Sequence, residues 1–409
     1  MSLLSRFEKN ISERGESLRV GLVGAGQMGQ GIVAQLNKTK GVDLQLIVDK
    51  NQDKLEKALE KYTSQDKKTV LSQTIQSIDD LELDIVIEAT GTPSSGADVA
   101  KKVLNRGIHL ILLNVETEAT IGLALREEAE RNNCIVTVGD GDEPVAAVEL
   151  FDFASELSLE VIAIGKGKNN PFDSFATPKQ LEQEAISKKM NPFMLTSFVD
   201  GSKTMIEMAA LANYLDFDID VDGMHGPEAT YQTLNKIYKP KSSGGILSKT
   251  GVVDFAFGVA PGVFAVVYSE DEYVNYEMEY LKMGKGPYWT LARPYHLTSL
   301  EIPRTIMNLE VNKETRLSAK NWNVEVVAFA KNDILPGTNF GSIGGELIYG
   351  KALKSKNSVG MAPLGIAENN TAQNLIKKGE PILINDVETV SYTHLRAHET
   401  SLHLVCRLL

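Results

Sequence analysis

Leu18 to Lys50 reads LRVGLVGAGQMGQGIVAQLNKTKGVDLQLIVDK, and this stretch decides the fold. Leu18 to Val23 is a short apolar run suited to a strand buried on both faces. Gly24-Ala25-Gly26-Gln27-Met28-Gly29 follows at once and opens a helix whose apolar face includes Ile32, Val33 and Leu36. In a strand–turn–helix of this kind Gly24 permits the tight turn and Gly26 lets the backbone approach a pyrophosphate. Gly29 lets the helix lie close to the sheet. The amides of Gln27 and Met28 then point at the pyrophosphate from the helix N-terminus. A glycine turn alone is a weak signal. Here a second strand, Leu44 to Val48, ends in Asp49, placed to accept the ribose hydroxyls. Residues 18 to about 150 therefore read as a Rossmann domain that binds a nicotinamide dinucleotide.

The alternation of strands and helices continues beyond it. Asp84 to Ala89, His109 to Leu113 and Cys134 to Val138 are further strand candidates. In a doubly wound sheet, ligands sit at the carboxyl ends of the strands. Thr90, Gly91, Asn114, Glu116 and the loop from Asp140 to Pro144 are thus placed to see the reacting ends of cofactor and substrate. His109 starts its strand at the opposite edge and reads as structural, and Cys134 reads as a small core residue. The cofactor's phosphorylation state stays open. Asp49 repels a 2′-phosphate and favours NAD, whereas Lys50 and Lys54 can turn to meet one and favour NADP.

The chain has 409 residues, 43% of them hydrophobic and 23% charged, enough for two large units and a smaller one. Its net charge of −12, without a basic run or an aromatic platform, argues against nucleic acid. The N-terminal segment MSLLSRFEKNISERGES alternates charges at helical spacing and reads as a short amphipathic helix, not a leader. No stretch approaches the ~20 apolar residues of a membrane span. Val390 to Thr400, VSYTHLRAHET, resembles a translated sequencing-library adapter, so residues 390–409 are expected to be artefactual and the natural chain to stop near Glu388. Setting that tail aside removes His394, His398, His403 and Cys406. Cys134 then has no partner for a disulfide, and a reducing cytoplasm is the expected compartment.

Past Leu150 the regular alternation dissolves. Leu159 to Ile164 is a strand running into Gly165-Lys166-Gly167-Lys168, where the two lysines either serve an anion or carbonyl oxygen or form a solvated turn. Asp200-Gly201-Ser202-Lys203 opens a strongly helical run, with Asp200 placed as its cap. Lys203 and Glu207, four apart, share a face among apolar neighbours, either as a surface pair or as a charged stripe at a site. The Gly/Pro-rich segments around His225, Lys282 and His296 suit loops lining a cleft, and His296 reads as an acid–base group or a structural histidine. Asp140, Asp142, Glu143, Asp200, Glu207 and Glu301 are the oxygen donors available to a divalent metal, which the sequence neither requires nor excludes. Short strands with Gly-rich turns from Glu325 onward indicate a compact β module.

Together these regions resemble the homoserine dehydrogenase-like oxidoreductases that carry a C-terminal SAF, or β-clip, domain. The marks are GKGKNN at Gly165, DGSKTMIEM at Asp200, GMHGP at Gly223, KMGKGP at Lys282, RPYHL at Arg293 and the Asp333 to Gly337 turn. The resemblance implies an α/β protein of three parts. These are a Rossmann domain (1–150), an α+β substrate and dimerisation domain (151–322) and a truncated SAF-like module (323–389). Relatives include deoxyxylulose-phosphate reductoisomerase-like enzymes that use NADPH, which implies NADP and a small polar carbonyl substrate such as a phosphorylated ketose. On this reading Lys203, with Lys166 or Lys168, stabilises the alkoxide and relays its proton, while Asp200 and Glu207 position the lysines. A homo-oligomer is expected. True homoserine dehydrogenases carry an Asn-Lys pair where this chain has Asn114-Val115-Glu116, which puts homoserine in doubt as substrate. A non-catalytic dinucleotide sensor with a sugar-binding module is the alternative of another class.

Overall fold

The structure, a computed structural model, describes residues 1–63 and 68–388, so the suspected adapter tail lies outside the described residues. They fall into two compact units, one of residues 1–145 with 297–318, the other of residues 146–296 with the chain from Ala319.

The first unit opens with α1 (Leu3–Arg14), whose Phe7 is fully buried. Six strands follow: β1 (Leu18–Val23), β2 (Val42–Val48), β3 (Val70–Ser72), β4 (Ile85–Glu88), β5 (His109–Leu112) and β6 (Val136–Val138). All pair in parallel in the order β3-β2-β1-β4-β5-β6. This is the doubly wound Rossmann order, and the direction of winding reverses between β1 and β4, which opens a crevice at their carboxyl ends. Between strands run α2 (Gln27–Leu36), α3 (Gln52–Leu59), α4 (Pro93–Leu104) and α5 (Val115–Arg131). Ile32, Val33 and Leu36 of α2 bury against Leu18, Val20, Leu22, Leu44 and Ile87.

The core of this unit includes a piece of distant sequence. Thr298 to Asn312 forms a short 3-10 turn and then a helix. Its Ile302, Ile306 and Leu309, one apolar stripe at helical spacing, are buried with Phe7 and the sheet residues. Each such side chain contributes roughly 1.5–3 kcal/mol by leaving water. The unit therefore departs from a contiguous 1–150 domain, and the segment from Leu297 to Pro303, read as cleft-lining loop, is mostly helical.

The second unit holds most of α6 (Glu143–Glu156) and a mixed sheet of four strands. These are β7 (Glu160–Lys168), β8 (Val252–Phe257), β9 (Val263–Tyr268) and β10 (Tyr288–Arg293), in the order β10-β9-β7-β8. The central β7 is parallel to β8 and antiparallel to β9. Between β7 and β8 run α7 (Pro178–Ser187), α8 (Pro192–Val199), the nearly all-buried α9 (Ser202–Leu215) and the one-turn α10 (Leu234–Ile237). From Ala319 the chain forms a β module. Its β11 (Val324–Ala330) and β12 (Ile348–Lys354) pair antiparallel, and single bridges such as Phe329 to Pro381 and Ile334 to Ile376 close it.

The module belongs to the same compact unit as α9 because hydrogen bonds tie the helix to it at both ends. The Gly350 N–H donates to Ser202 Oγ at the first turn (2.8 Å). At the last turn Asn213 donates to the Val324 carbonyl (2.9 Å) and accepts the N–H groups of Asn323 and Val324.

Candidate active site

The glycine turn has the geometry that its sequence requires. Gly24 has φ 103°, and a Cβ there would stand 2.5 Å from the Ala89 carbonyl oxygen. A Cβ on Gly29 would meet the Gly24 carbonyl oxygen at 2.0 Å, so the helix lies against the turn only without a side chain. Gly26 differs. It caps α2 with no side-chain hydrogen bond, and a Cβ added there meets nothing within 4 Å. Open space, free amides of the first turn and exposed Gln27 and Met28 make a cradle that fits a pyrophosphate.

Asp49, just past β2, faces this turn. Its carboxylate accepts the Ala25 N–H (2.8 Å) and the Asn51 N–H (2.9 Å), which fixes its orientation beside the glycine turn. Lys50 beside it is exposed. Across the crevice Glu88 ends β4 next to Val23 and is completely buried. Its Oε1 accepts the Thr90 N–H (2.7 Å) and the Thr90 hydroxyl. Gly91 lies in the exposed bend that follows. Burial pushes the Glu88 carboxyl up to about 7 against those hydrogen bonds.

Asn114 is buried and acts as a pin. It donates to the Thr92 carbonyl (2.8 Å) and caps α5 by accepting the Thr117 N–H (3.2 Å). Glu116 is half-buried in the first turn of α5. His109 Nδ1 accepts the Ile135 N–H (3.0 Å) at the start of β5, and burial pushes the Cys134 thiol up to about 11. Both have structural surroundings.

In the second unit a cluster of charge forms on β7 and α9. Lys166 and Lys168 do not lie in a turn, since β7 runs through Lys168 and both side chains are buried on one face of it. The alternating glycines have a different cause from the one expected. A Cβ on Gly165 would sit 1.7 Å from the Asp254 carbonyl oxygen, and one on Gly167 would sit 2.3 Å from the Ala260 nitrogen. Neighbouring backbone presses against that face of the strand. Lys166 Nζ is ion-paired with Glu207, and Lys203 Nζ reaches the other Glu207 oxygen at 3.7 Å. Lys168 Nζ donates to the Phe198 carbonyl, and burial together with Lys166 lowers its ammonium to about 8. Glu207 thus orients two lysines, while a third has an ammonium that gives up its proton more readily than usual.

Asp200 makes its direct ion pair elsewhere, although its charge still favours the ammonium form of Lys168. Its Oδ1 accepts the Ser202 N–H (2.8 Å), and its Oδ2 pairs with Lys331 at 2.8 Å, both side chains being fully buried. Lys331 also donates to the carbonyls of Ala176 (2.7 Å) and Gly345 (2.8 Å), so its three protons all have acceptors. Two of the other oxygen donors considered for a metal, Asp140 and Glu301, are also engaged. Asp140 accepts Thr305 Oγ1 (2.8 Å) and Arg316 Nε (3.1 Å), and Glu301 accepts the Leu297 N–H (3.0 Å). His225 pairs with Asp220 (2.8 Å), and His296 is half-buried. Glu88 and Lys331 escaped the sequence reading of the site. The signal for Glu88 was a carboxylate closing the apolar run Ile85-Val86-Ile87.

Comparison with known proteins agrees with this division of labour. Residues 24–139 match the model for the homoserine dehydrogenase NAD-binding domain, and residues 141–302 that for the catalytic domain of oxidoreductase DRL. These matches define the class, an NAD(P)-dependent oxidoreductase, whose two matched regions are similar to homoserine dehydrogenase and to oxidoreductase DRL. The chain is 25% identical over 231 residues to homoserine dehydrogenase of Bacillus subtilis (strain 168), a match over 51% of this chain and half the length of that relative. Among solved structures it is similar to a myo-inositol dehydrogenase from Corynebacterium glutamicum, with 13% identity and a TM-score of 0.40 over 68% of this chain and 75% of that one. It is also similar to GenD2 of gentamicin A biosynthesis in complex with NAD, with 12% identity and a TM-score of 0.42 over 74% and 89% of the two chains.

Proposed function

We propose that this protein reduces a small polar carbonyl, of the phosphorylated-ketose type, with a hydride from NAD(P)H. The observation that carries the reading is the Lys166–Glu207–Lys203 array on β7 and α9, in which Lys166 and Glu207 are buried and Lys203 is partly exposed. When bound, the cofactor supplies the hydride to the carbonyl carbon. Gly24, Gly26, Gln27, Met28 and Gly29 cradle the pyrophosphate, and Asp49 with Lys50 faces the adenosine ribose. Thr90, Gly91, Asn114 and Glu116 shape the nicotinamide end. As the carbon–oxygen double bond becomes single, Lys203 or Lys166 donates a proton to the oxygen, and Glu207 keeps both ammonium groups aimed. Lys168, whose ammonium is lowered to about 8, accepts or resupplies that proton near neutral pH. Asp200 acts at one remove, through Lys331 and the first turn of α9. The C-terminal β module is of the SAF type on this reading, and the enzyme works in the cytoplasm as a homo-oligomer. No helix among the described residues is long and apolar enough to cross a membrane.

A second reading, oxidation and reduction at homoserine, is favoured by the match to the Bacillus subtilis enzyme. It is opposed by Val115-Glu116 after Asn114. Steady-state assays with deoxyxylulose phosphate and with L-aspartate semialdehyde, each with NADH and NADPH, separate the two. Turnover of the semialdehyde alone would overturn the first reading. Dinucleotide binding without turnover on any carbonyl would instead favour a sensor.

A further inference from the structure

Glu88 is a costly residue to keep. It is the only charged residue of β4, it has no exposure to solvent, and its Oε2 makes no close hydrogen bond among the described residues, although the Asn114 side chain is near enough to favour the ionised form. An apolar side chain would serve the strand better, because burying a carboxyl with an unsatisfied oxygen disfavours the fold. Its other oxygen is fully used, on the backbone N–H and the hydroxyl of Thr90. That places the carboxyl under the loop from Thr90 to Thr92, and Asn114 grips the far end of the same loop through the Thr92 carbonyl. Glu88 and Asn114 hold the loop between them, directly beside the glycine turn, where Ala89 and Gly24 are in backbone contact.

We propose that Glu88 is a positioning residue for the cofactor: its carboxylate clamps Thr90 and so sets the shape of the loop that receives the nicotinamide end of the dinucleotide. The inference rests on the reading of this crevice as the cofactor site.

The clamp is tightest when Glu88 is ionised, because hydrogen bonds to a carboxylate are stronger than those to a neutral acid. Burial raises the carboxyl to about 7, and Glu116, from the first turn of α5, pushes it the same way. The adjoining strand positions, Val23 on β1 and Leu112 on β5, carry no charge, and the start of α4 offers Thr92 and Pro93. The clamp is therefore fully formed above neutrality and is lost as the pH falls through about 7.

The test is calorimetric titration of the full chain with NADH, which lacks a titrating 2′-phosphate, from about pH 6 to about pH 8.5. Wild-type affinity should rise by about tenfold across that range, the equivalent of one charge-assisted hydrogen bond. Glu88→Gln should bind weakly and without pH dependence. Thr90→Val, which removes only the hydroxyl from a half-buried site, should reduce the dependence and serves if the glutamine variant does not fold. Wild-type binding with a flat profile, or a Glu88→Gln profile like that of wild type, overturns the clamp and leaves the cofactor site standing. No binding of NADH, or of NADPH titrated in parallel, at any pH overturns the cofactor reading and the clamp with it.

Discussion

Replacing Lys331 with methionine is the most demanding test of how the second unit holds α9. The ammonium is fully buried and its three acceptors lie at 2.7–2.8 Å, so no water stands ready to take its place. Methionine fills similar volume but leaves the Asp200 carboxylate buried opposite an apolar side chain. Breaking a buried pair from one side costs about 3–5 kcal/mol. At about 2–4 °C per kcal/mol for a unit of this size, melting should fall by about 6–20 °C.

The loss should also depend on pH. Burial already raises the Asp200 carboxyl above its usual range, and Lys331 is the charge that lowers it. Without the lysine it rises further, so the protonated, cheaper form becomes accessible. A carboxyl raised in the folded state favours folding at low pH and loses that advantage as the pH rises. The gap between variant and wild type should therefore be wide near about pH 8 and narrower near about pH 5. The double variant Lys331→Met with Asp200→Asn removes the stranded charge and should recover most of the loss. Differential scanning fluorimetry at the two pH values measures all of this. A single variant melting within about 2 °C of wild type at pH 8 would refute the reasoning.

Three other substitutions test the cofactor crevice. Gly26→Ala meets open space, so it should melt like wild type yet bind dinucleotide at least about tenfold more weakly, because the methyl occupies the pyrophosphate cradle. Gly29→Ala must displace the Gly24 carbonyl and should lose both stability, by about 1–3 kcal/mol, and binding; thermal melts paired with NADH titration distinguish the two glycines. Asp49→Ser should shift preference toward the phosphorylated cofactor, read as the ratio of NADPH to NADH affinity. An unchanged ratio would mean that Asp49 does not face the ribose.

The parts of this protein that were legible in its sequence are those whose cause is local. The Gly24 to Gly29 turn, the flanking apolar runs and Asp49 all lie within a few tens of residues, and each constrains the others. The N-terminal helix was legible from its charge spacing. What sequence concealed depends on partners far along the chain. Gly165-Lys166-Gly167-Lys168 has the composition of a turn, but its glycines answer to backbone pressed against them from Asp254 and Ala260. Asp200 has the position of a helix cap that tends a nearby lysine, yet its partner stands 131 residues later in the β module. Lys331 follows an apolar strand as any surface lysine might, and nothing beside it records that it is buried. The helix from Ile302 carries an apolar stripe whose destination, the sheet near Phe7, has no local mark either.

The central claim is hydride transfer to a polar carbonyl supported by the lysines around Glu207. It is tested most directly by following NADH and NADPH oxidation with a panel of small polar and phosphorylated carbonyls, in wild type and in Lys203→Met. The account predicts that wild type turns over at least one of them. Lys203→Met should bind the dinucleotide as wild type does while its turnover falls by about 10²–10⁴-fold. Undiminished turnover in the variant would contradict the account.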